Sequence, residues 1–399
     1  MLVKFFDLKR QYELIKDEVE EEIIKVLRST SYIGGEAVKN FEANIKKYLG
    51  VKYVTTVNSG TDALVLALIA GGVTKGDEVI TPSFSFFATS EAIARVGATP
   101  VFVDVKYDTY NIDVSKIEEK ITSKTKAILP VHLFGKSADL KEISKLAKKH
   151  NLLAISDACQ AIGAEYDGKK IGSCFYSDLT CFSFYPTKNL GAFGDGGMIT
   201  TNNEKLYLIC EALKTHGAGE LGAQAKSLLT GKEEKIECEF EKSDLYDPYK
   251  YYNYLIAFNS RLDSIQAAVL SVKLKYLEKF NERRKEIALK YISGLKNTDK
   301  IKLPVYSKDD SWHQFVIRVE DKFDMCSYLS KCGVGNGNFY PVPLHKQKAF
   351  DYLEDKSDLK TSEILSKETV CLPIYPELTD EEIDFVIENV KKYVGEKND

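Results

Sequence analysis

Hydrophobic and polar residues follow two rhythms in the first half of the chain: short apolar runs of strand length, separated by longer stretches with helical spacing. YVTTVNSG predicts a strand ending in a turn, and TDALVLALIAGGV a helix closed by glycines. DEVITPSF, TPVFVDV, KTKAILPVHLFG and LLAISDACQAIG predict further strands, with FFATSEAIARVG and LKEISKLAKKHN as helices between them. SDLTCFSFYPTK and GGMITTN are strand-like again. This alternation predicts an α/β domain of three layers around a mostly parallel sheet. Ligands of such sheets bind at the carboxyl ends of the strands, which singles out NSGT, TPSFSF, SDACQ and FSFYPTK.

The texture changes from about residue 262. LDSIQAAVLSVKLKYLEKFNERRKEIALKYISGL predicts one or two long amphipathic helices, WHQFVIRV a strand, and DMCSYLSKCG and EEIDFVIENVKKYV helices. The division expected is a large domain over 1–255 and a smaller α+β domain over 256–399. Within the first, 217–254 is charged, tyrosine-rich and without clean periodicity.

Composition narrows the function. The 399 residues carry a net charge of −4, which argues against a bulk-electrostatic nucleic-acid binder. No apolar run reaches membrane-spanning length, and the opening MLVKFFDLKRQYELIKDEVEEE lacks the apolar core of a secretory signal. Eight scattered cysteines without a CxxC pair point to reduced thiols in a cytoplasmic protein. Five histidines, none in a paired spacing, give no basis for a metal site.

Four short stretches carry candidate chemistry. In Asn58-Ser59-Gly60-Thr61 a strand ends, Gly60 permits close backbone approach, and a helix begins whose free N–H groups suit a phosphate. An ordinary N-cap by Ser59 or Thr61 explains the same residues. Asp157, at the end of an apolar strand, needs a partner, either a protonated ring nitrogen or the N-terminus of a following helix. Gln160 could reach a phenolic oxygen on such a ring. Ser183 could reach a phosphate, and Phe86 could stack on a ring. Lys188 sits between FSFY and the glycine-rich GAFGDGG rather than on a charged face. A solvated surface lysine is the ordinary alternative, and a phosphate-loop lysine would need GxxxxGK[ST], which is absent. A desolvated lysine can instead bond an aldehyde. Phosphate cradle, ring-nitrogen carboxylate and covalent lysine together are the requirements of pyridoxal 5′-phosphate.

The stretches FFDLKRQY, NSGTDAL, DEVITPSFSFFAT, PVHLFG, SDACQA, FSFYPTKNLGAFGDGGM, NSRLDSIQAAVL and YPVPLH resemble the nucleotide-sugar aminotransferases of the DegT/StrS family in order and spacing. The resemblance implies a fold-type I enzyme with a seven-stranded sheet, working as a homodimer with shared active sites. It implies that Lys188 bonds the cofactor, Asp157 pairs with its ring nitrogen, Gln160 contacts the ring oxygen and Phe86 stacks on the ring. Gly60, Thr61 and Ser183, beside Ser59, would hold the phosphate. Asn259 and Arg261 would reach the neighbouring subunit's cofactor. It further implies two half-reactions with ping-pong kinetics, with glutamate as donor and a nucleotide-linked keto-sugar as acceptor in amino-sugar biosynthesis.

Two departures refine this. Many family members have histidine where Tyr185 stands, and this form looks more like members that aminate a 3-keto sugar, as do Tyr340 and His345 in YPVPLH. Tyr185 meets substrate or cofactor, or packs beside Phe184. The 217–254 stretch is longer than in typical relatives; it either shapes the substrate mouth near a dimer interface or packs on its own domain. The alternatives are a 4-keto nucleotide-sugar or cyclitol aminotransferase and, in another class, a cofactor-binding regulatory module.

Overall fold

The structure is a computed structural model describing residues 1–236, 246–296, 298, 300–353 and 358–396. Two N-terminal helices, α1 (Leu8–Ser29) and α2 (Gly35–Leu49), precede the sheet. Then come β1 (Tyr53–Val57), α3 (Gly60–Ala70), β2 (Glu78–Pro82), α4 (Ala88–Arg95), β3 (Thr99–Val103), β4 (Thr125–Ile128), α5 (Leu140–Lys149) and β5 (Leu153–Asp157). A small hairpin of β6 (Glu165–Tyr166) and β7 (Lys169–Lys170) leads to β8 (Leu179–Ser183) and β9 (Gly197–Thr201). The seven-stranded order is β1-β9-β8-β5-β4-β2-β3. Only β9 runs antiparallel to its neighbours β1 and β8; the other pairs are parallel.

Both faces of this sheet are covered, so its strands are apolar almost throughout. The pleat sends successive residues to opposite sides. Ala127 and Ile155 join a core with α3 and α6 (Glu204–Leu213), while Ile128 and Ala154 join one with α5. α3 is buried along nearly its whole length and therefore has no polar stripe.

The stretch 217–254 is not free of regular structure. It contains α7 (Gly219–Thr230), whose buried residues are Gly222, Ala223 and Ala225. Beside these small residues Leu221, Leu228 and Leu229 are partly buried and pack against the core of α3 and α6. Ala225 belongs to the same core as α3 and α6; residues 237–245 lie outside the described residues.

The long apolar-polar stretch after 262 is one helix, α8 (Ser264–Leu295), of 32 residues. Its first half packs in a core with α2 and β8, and its second half in a core with α9 (Lys322–Lys331), α11 (Asp380–Glu396) and a three-stranded antiparallel sheet. That sheet orders β10 (Ile301–Lys302), β11 (Phe315–Val319) and β12 (Thr369–Leu372). Before β12 runs α10 (Lys360–Glu368), tied to the large sheet by Asp104 beyond β3, which accepts from the Thr361 and Ser362 backbone N–H groups at 2.9 Å each. Among the described residues, no helix is long and apolar enough to cross a membrane.

Candidate active site

The carboxyl ends of β1, β5 and β8 meet at one cleft. β1 delivers Ser59, which caps α3 by accepting from the Asp62 N–H at 3.1 Å. The expected ordinary cap is thus present, and it leaves the Ser59 hydroxyl proton free for another acceptor. A Cβ on Gly60 would stand 2.7 Å from the Ser183 Cβ and 3.0 Å from the Cys159 Sγ. A Cβ on Gly197 would stand 2.4 Å from the Ser59 carbonyl oxygen. Only glycine lets these three turns approach so closely. Thr61 is half-buried in the first turn of α3, and Ser183 Oγ accepts from the Tyr185 N–H at 3.3 Å, its own proton again free. Two hydroxyls with free protons beside the α3 N-terminus are groups that suit an anion.

Asp157 ends β5 and is 5% exposed. Oδ1 accepts from the Cys159 N–H at 3.1 Å, and Oδ2 accepts from the Thr89 hydroxyl at 2.8 Å. Two donors leave lone pairs for a further N–H. Gln160 is held at both ends: Oε1 accepts from the Phe134 N–H at 2.8 Å, and Nε2 donates to the Tyr340 hydroxyl at 2.8 Å. The Tyr340 ring stands 6.2 Å from Phe86 and lies nearly parallel to Phe134 at 6.5 Å. Phe86 is 58% exposed, an apolar ring open to the solvent side.

Lys188 closes a turn in which its N–H donates to the Tyr185 carbonyl at 2.8 Å. The side chain is half-buried. Desolvation lowers its pKa below the ordinary lysine value, and the fields of Cys159 and Asp157 oppose that shift only in part. Tyr185 is exposed at the turn. The residues fit pyridoxal phosphate: a helix N-terminus that Gly60 brings against Ser183, a buried carboxylate with acceptor capacity left, and a lysine with a weakened proton.

Three expected residues stand apart from this cluster. His345 Nε2 pairs with Glu363 at 3.2 Å, and its ring lies 6.5 Å from Phe102. Asn259 and Arg261 flank Ser260, which is buried and donates to Asn58 Oδ1 at 2.9 Å. Asn259 accepts from Arg261 at 2.5 Å, at the surface. Conversely, Thr89 and Phe134 belong to the cluster without having been singled out in the sequence. Thr89 lies one turn after Phe86 in TPSFSFFAT, the signal from which it could have been inferred.

Comparison with known proteins identifies relatives along nearly the whole chain. A protein from Geobacillus stearothermophilus named as a pleiotropic regulatory protein is 39% identical over 98% of this chain and 99% of its own. A dTDP-3-amino-3,6-dideoxy-alpha-D-galactopyranose transaminase from Aneurinibacillus thermoaerophilus is 41% identical over 98% of this chain and 99% of its own. A Bacillus subtilis crystal structure, ntda with bound cofactor pmp, superposes with a TM-score of 0.83 at 34% identity, covering 95% of this chain and 82% of that one. Residues 13–391 match a single family, and the chain belongs to it: the DegT/DnrJ/EryC1/StrS aminotransferases.

Proposed function

We propose that this protein is a pyridoxal-phosphate aminotransferase that moves an amino group from glutamate to C3 of a nucleotide-linked keto-sugar, as a homodimer. The observation that carries the reading is the depressed amine of Lys188 lying within the electrostatic reach of buried Asp157, beside the Gly60–Ser183 cradle. The relative named as a 3-amino-sugar transaminase supports C3 as the position.

When bound, the cofactor supplies an aldehyde and an electron-withdrawing ring. The remaining work falls to residues of this chain. Ser59, Thr61, Ser183 and the α3 N-terminus bind the phosphate. Asp157 keeps the ring nitrogen protonated, with Thr89 and the Cys159 N–H fixing its carboxylate. Gln160 orients the ring oxygen, and Phe86 covers the ring and excludes water. Lys188 holds the cofactor between turnovers. Once displaced, its Nζ would take the proton from the donor's Cα, and the downward shift of its pKa by burial favours the neutral amine that this task needs. Tyr340 and Tyr185 face the sugar. Asn259 and Arg261, at the surface of their own chain, complete the partner's cradle. On this reading residues 1–255 carry the cofactor half and 256–399 finish the substrate side. The seven described cysteines are free, which suits a cytoplasmic setting.

The test is an absorbance spectrum of purified protein before and after excess glutamate, beside Lys188→Ala. Wild type is expected to show a visible band that bleaches with glutamate and returns with a 3-keto nucleotide-sugar; Lys188→Ala should lack the cycle. A band indifferent to every amino donor would overturn the reading. It would instead favour a cofactor-binding regulatory module, which the name of the Geobacillus relative keeps in view.

A further inference from the structure

Directly after Lys188 comes a buried polar knot that the proposed reaction does not use. Asn189 is 5% exposed, Asn281 2% and His313 4%. Asn189 Nδ2 donates to the Ser311 carbonyl at 2.8 Å and to Asn281 Oδ1 at 2.8 Å. A carbonyl only accepts, so the nitrogen of Asn189 must lie on that side. Its Oδ1 is therefore the atom 3.0 Å from His313 Nδ1, and that nitrogen must carry the proton. Asn281 in turn donates from Nδ2 to the Ile162 carbonyl at 3.2 Å, which fixes its own amide the same way. Burial, followed by the fields of Lys188 and Arg284, holds the His313 pKa well below the ordinary histidine value. Burial thus disfavours the charged ring, and the hydrogen bonds place a proton on Nδ1.

Asn189 thus joins four parts of the chain: the Lys188 turn, α8 through Asn281, the turn after β5 through Ile162, and the segment entering β11 through Ser311 and His313. Every polar atom of its side chain is used. A buried network this fully satisfied is rigid, and losing one member leaves the others without partners.

We propose that Asn189, locked by the Nδ1–H of His313, is a positioning residue that fixes the Lys188 amine against the cleft. The inference rests on Lys188 being the covalent lysine. Asn189 and His313 act through that lysine's backbone rather than on substrate.

The test uses Asn189→Ala, His313→Leu and His313→Asn in the full chain. An asparagine amide can put a donor where Nδ1–H stood; leucine cannot. Two readouts go beyond stability. One is the pH midpoint at which Lys188 of the cofactor-free protein is reductively methylated, read by mass spectrometry. The other is the split between kcat and KM for glutamate. Asn189→Ala and His313→Leu are expected to move the midpoint up towards ordinary lysine, because a loosened turn lets water reach the amine. They should lower kcat roughly tenfold to a hundredfold with KM little changed. His313→Asn should restore both. A lower melting temperature with an unmoved midpoint and kcat would overturn the proposal and leave only a structural knot. Should Asn189→Ala fail to fold, the two His313 variants decide alone. If Lys188→Ala still carried out the half-reaction, the covalent-lysine reading would fall, while the midpoint would still report whether the knot holds that amine.

Discussion

The hydroxyl of Thr89, in the first turn of α4, donates to Asp157 Oδ2 at 2.8 Å. Since that proton is committed, Ser85 Oγ, 2.9 Å from Thr89 Oγ1, must be the donor in their contact. All three residues are buried, so the carboxylate at the end of β5 is aimed by a relay from the preceding strand-to-helix turn.

Thr89→Val tests the relay. It keeps the shape, removes the donor and strands the Ser85 hydroxyl, while a hydrogen bond to a charged group is worth about 1.5–3 kcal/mol. Cofactor affinity, titrated by fluorescence, is expected to fall about tenfold or more. Thr89→Ser should retain it. Equal affinity in Thr89→Val would mean that Asp157 is aimed without Thr89.

On the proposed function, Tyr340 meets the acceptor sugar. Burial raises its pKa, so the hydroxyl stays protonated. It accepts from Gln160 and keeps its own proton for a further acceptor. Tyr340→Phe is expected to raise KM for the keto-sugar about tenfold and to leave the glutamate half-reaction nearly unchanged. Stopped-flow spectra of each half-reaction separate the two. A defect confined to the glutamate half would place Tyr340 on the cofactor instead.

Asp104 tests what holds α10. It is 2% exposed and accepts from the Thr361, Ser362 and Val105 N–H groups and from the Ser362 hydroxyl. Burial pushes its pKa up, but the Ser362 hydroxyl and these backbone donors outweigh burial, and the net shift is downward. A carboxyl with a depressed folded pKa stabilises the fold above its unfolded value of about 3.9, and that contribution is lost as pH falls through the folded value. Asp104→Ala is expected to cost about 2–3 kcal/mol in urea melts at neutral pH, with the gap narrowing below about pH 4. A gap independent of pH would rule out the charge as its source.

Local pattern is what singled out the candidate cofactor residues. Asp157 ends an apolar strand, Gly60 follows another, and Lys188 precedes a glycine-rich loop; each signal lies within a few residues of sequence. The sheet was legible for the same reason, since strands buried on both faces are apolar runs. Partnerships across the chain left no such trace. Gln160 meets Tyr340 across 180 positions, and Asn189 meets His313 across 124. α7 was not predicted although Leu221, Ala225, Leu228 and Leu229, which face the core, stand at helical spacing; two glycines and the charged stretch that follows masked that short signal. The reach of Asn259 and Arg261 to a neighbouring subunit is an expectation from family resemblance alone.

Lys188 itself sets a last prediction, on the cofactor-free protein. Desolvation lowers its pKa, so between that value and the ordinary lysine value the unfolded chain binds the extra proton more readily than the folded one. Stability must then rise with pH across this window and level off above about 10.4, where both states are neutral. Lys188→Met keeps most of the volume and removes the penalty. It is therefore expected to be more stable than wild type at about pH 7, with the difference shrinking as pH approaches the ordinary lysine value. The negative field of Asp157 opposes the desolvation, so Asp157→Asn should widen the gap between lysine and methionine at position 188. Urea melts of the four proteins at neutral and alkaline pH measure both effects. Wild type proving more stable than Lys188→Met at neutral pH would mean that the lysine is not held at a cost, and the source of its reactivity would then lie elsewhere than in burial.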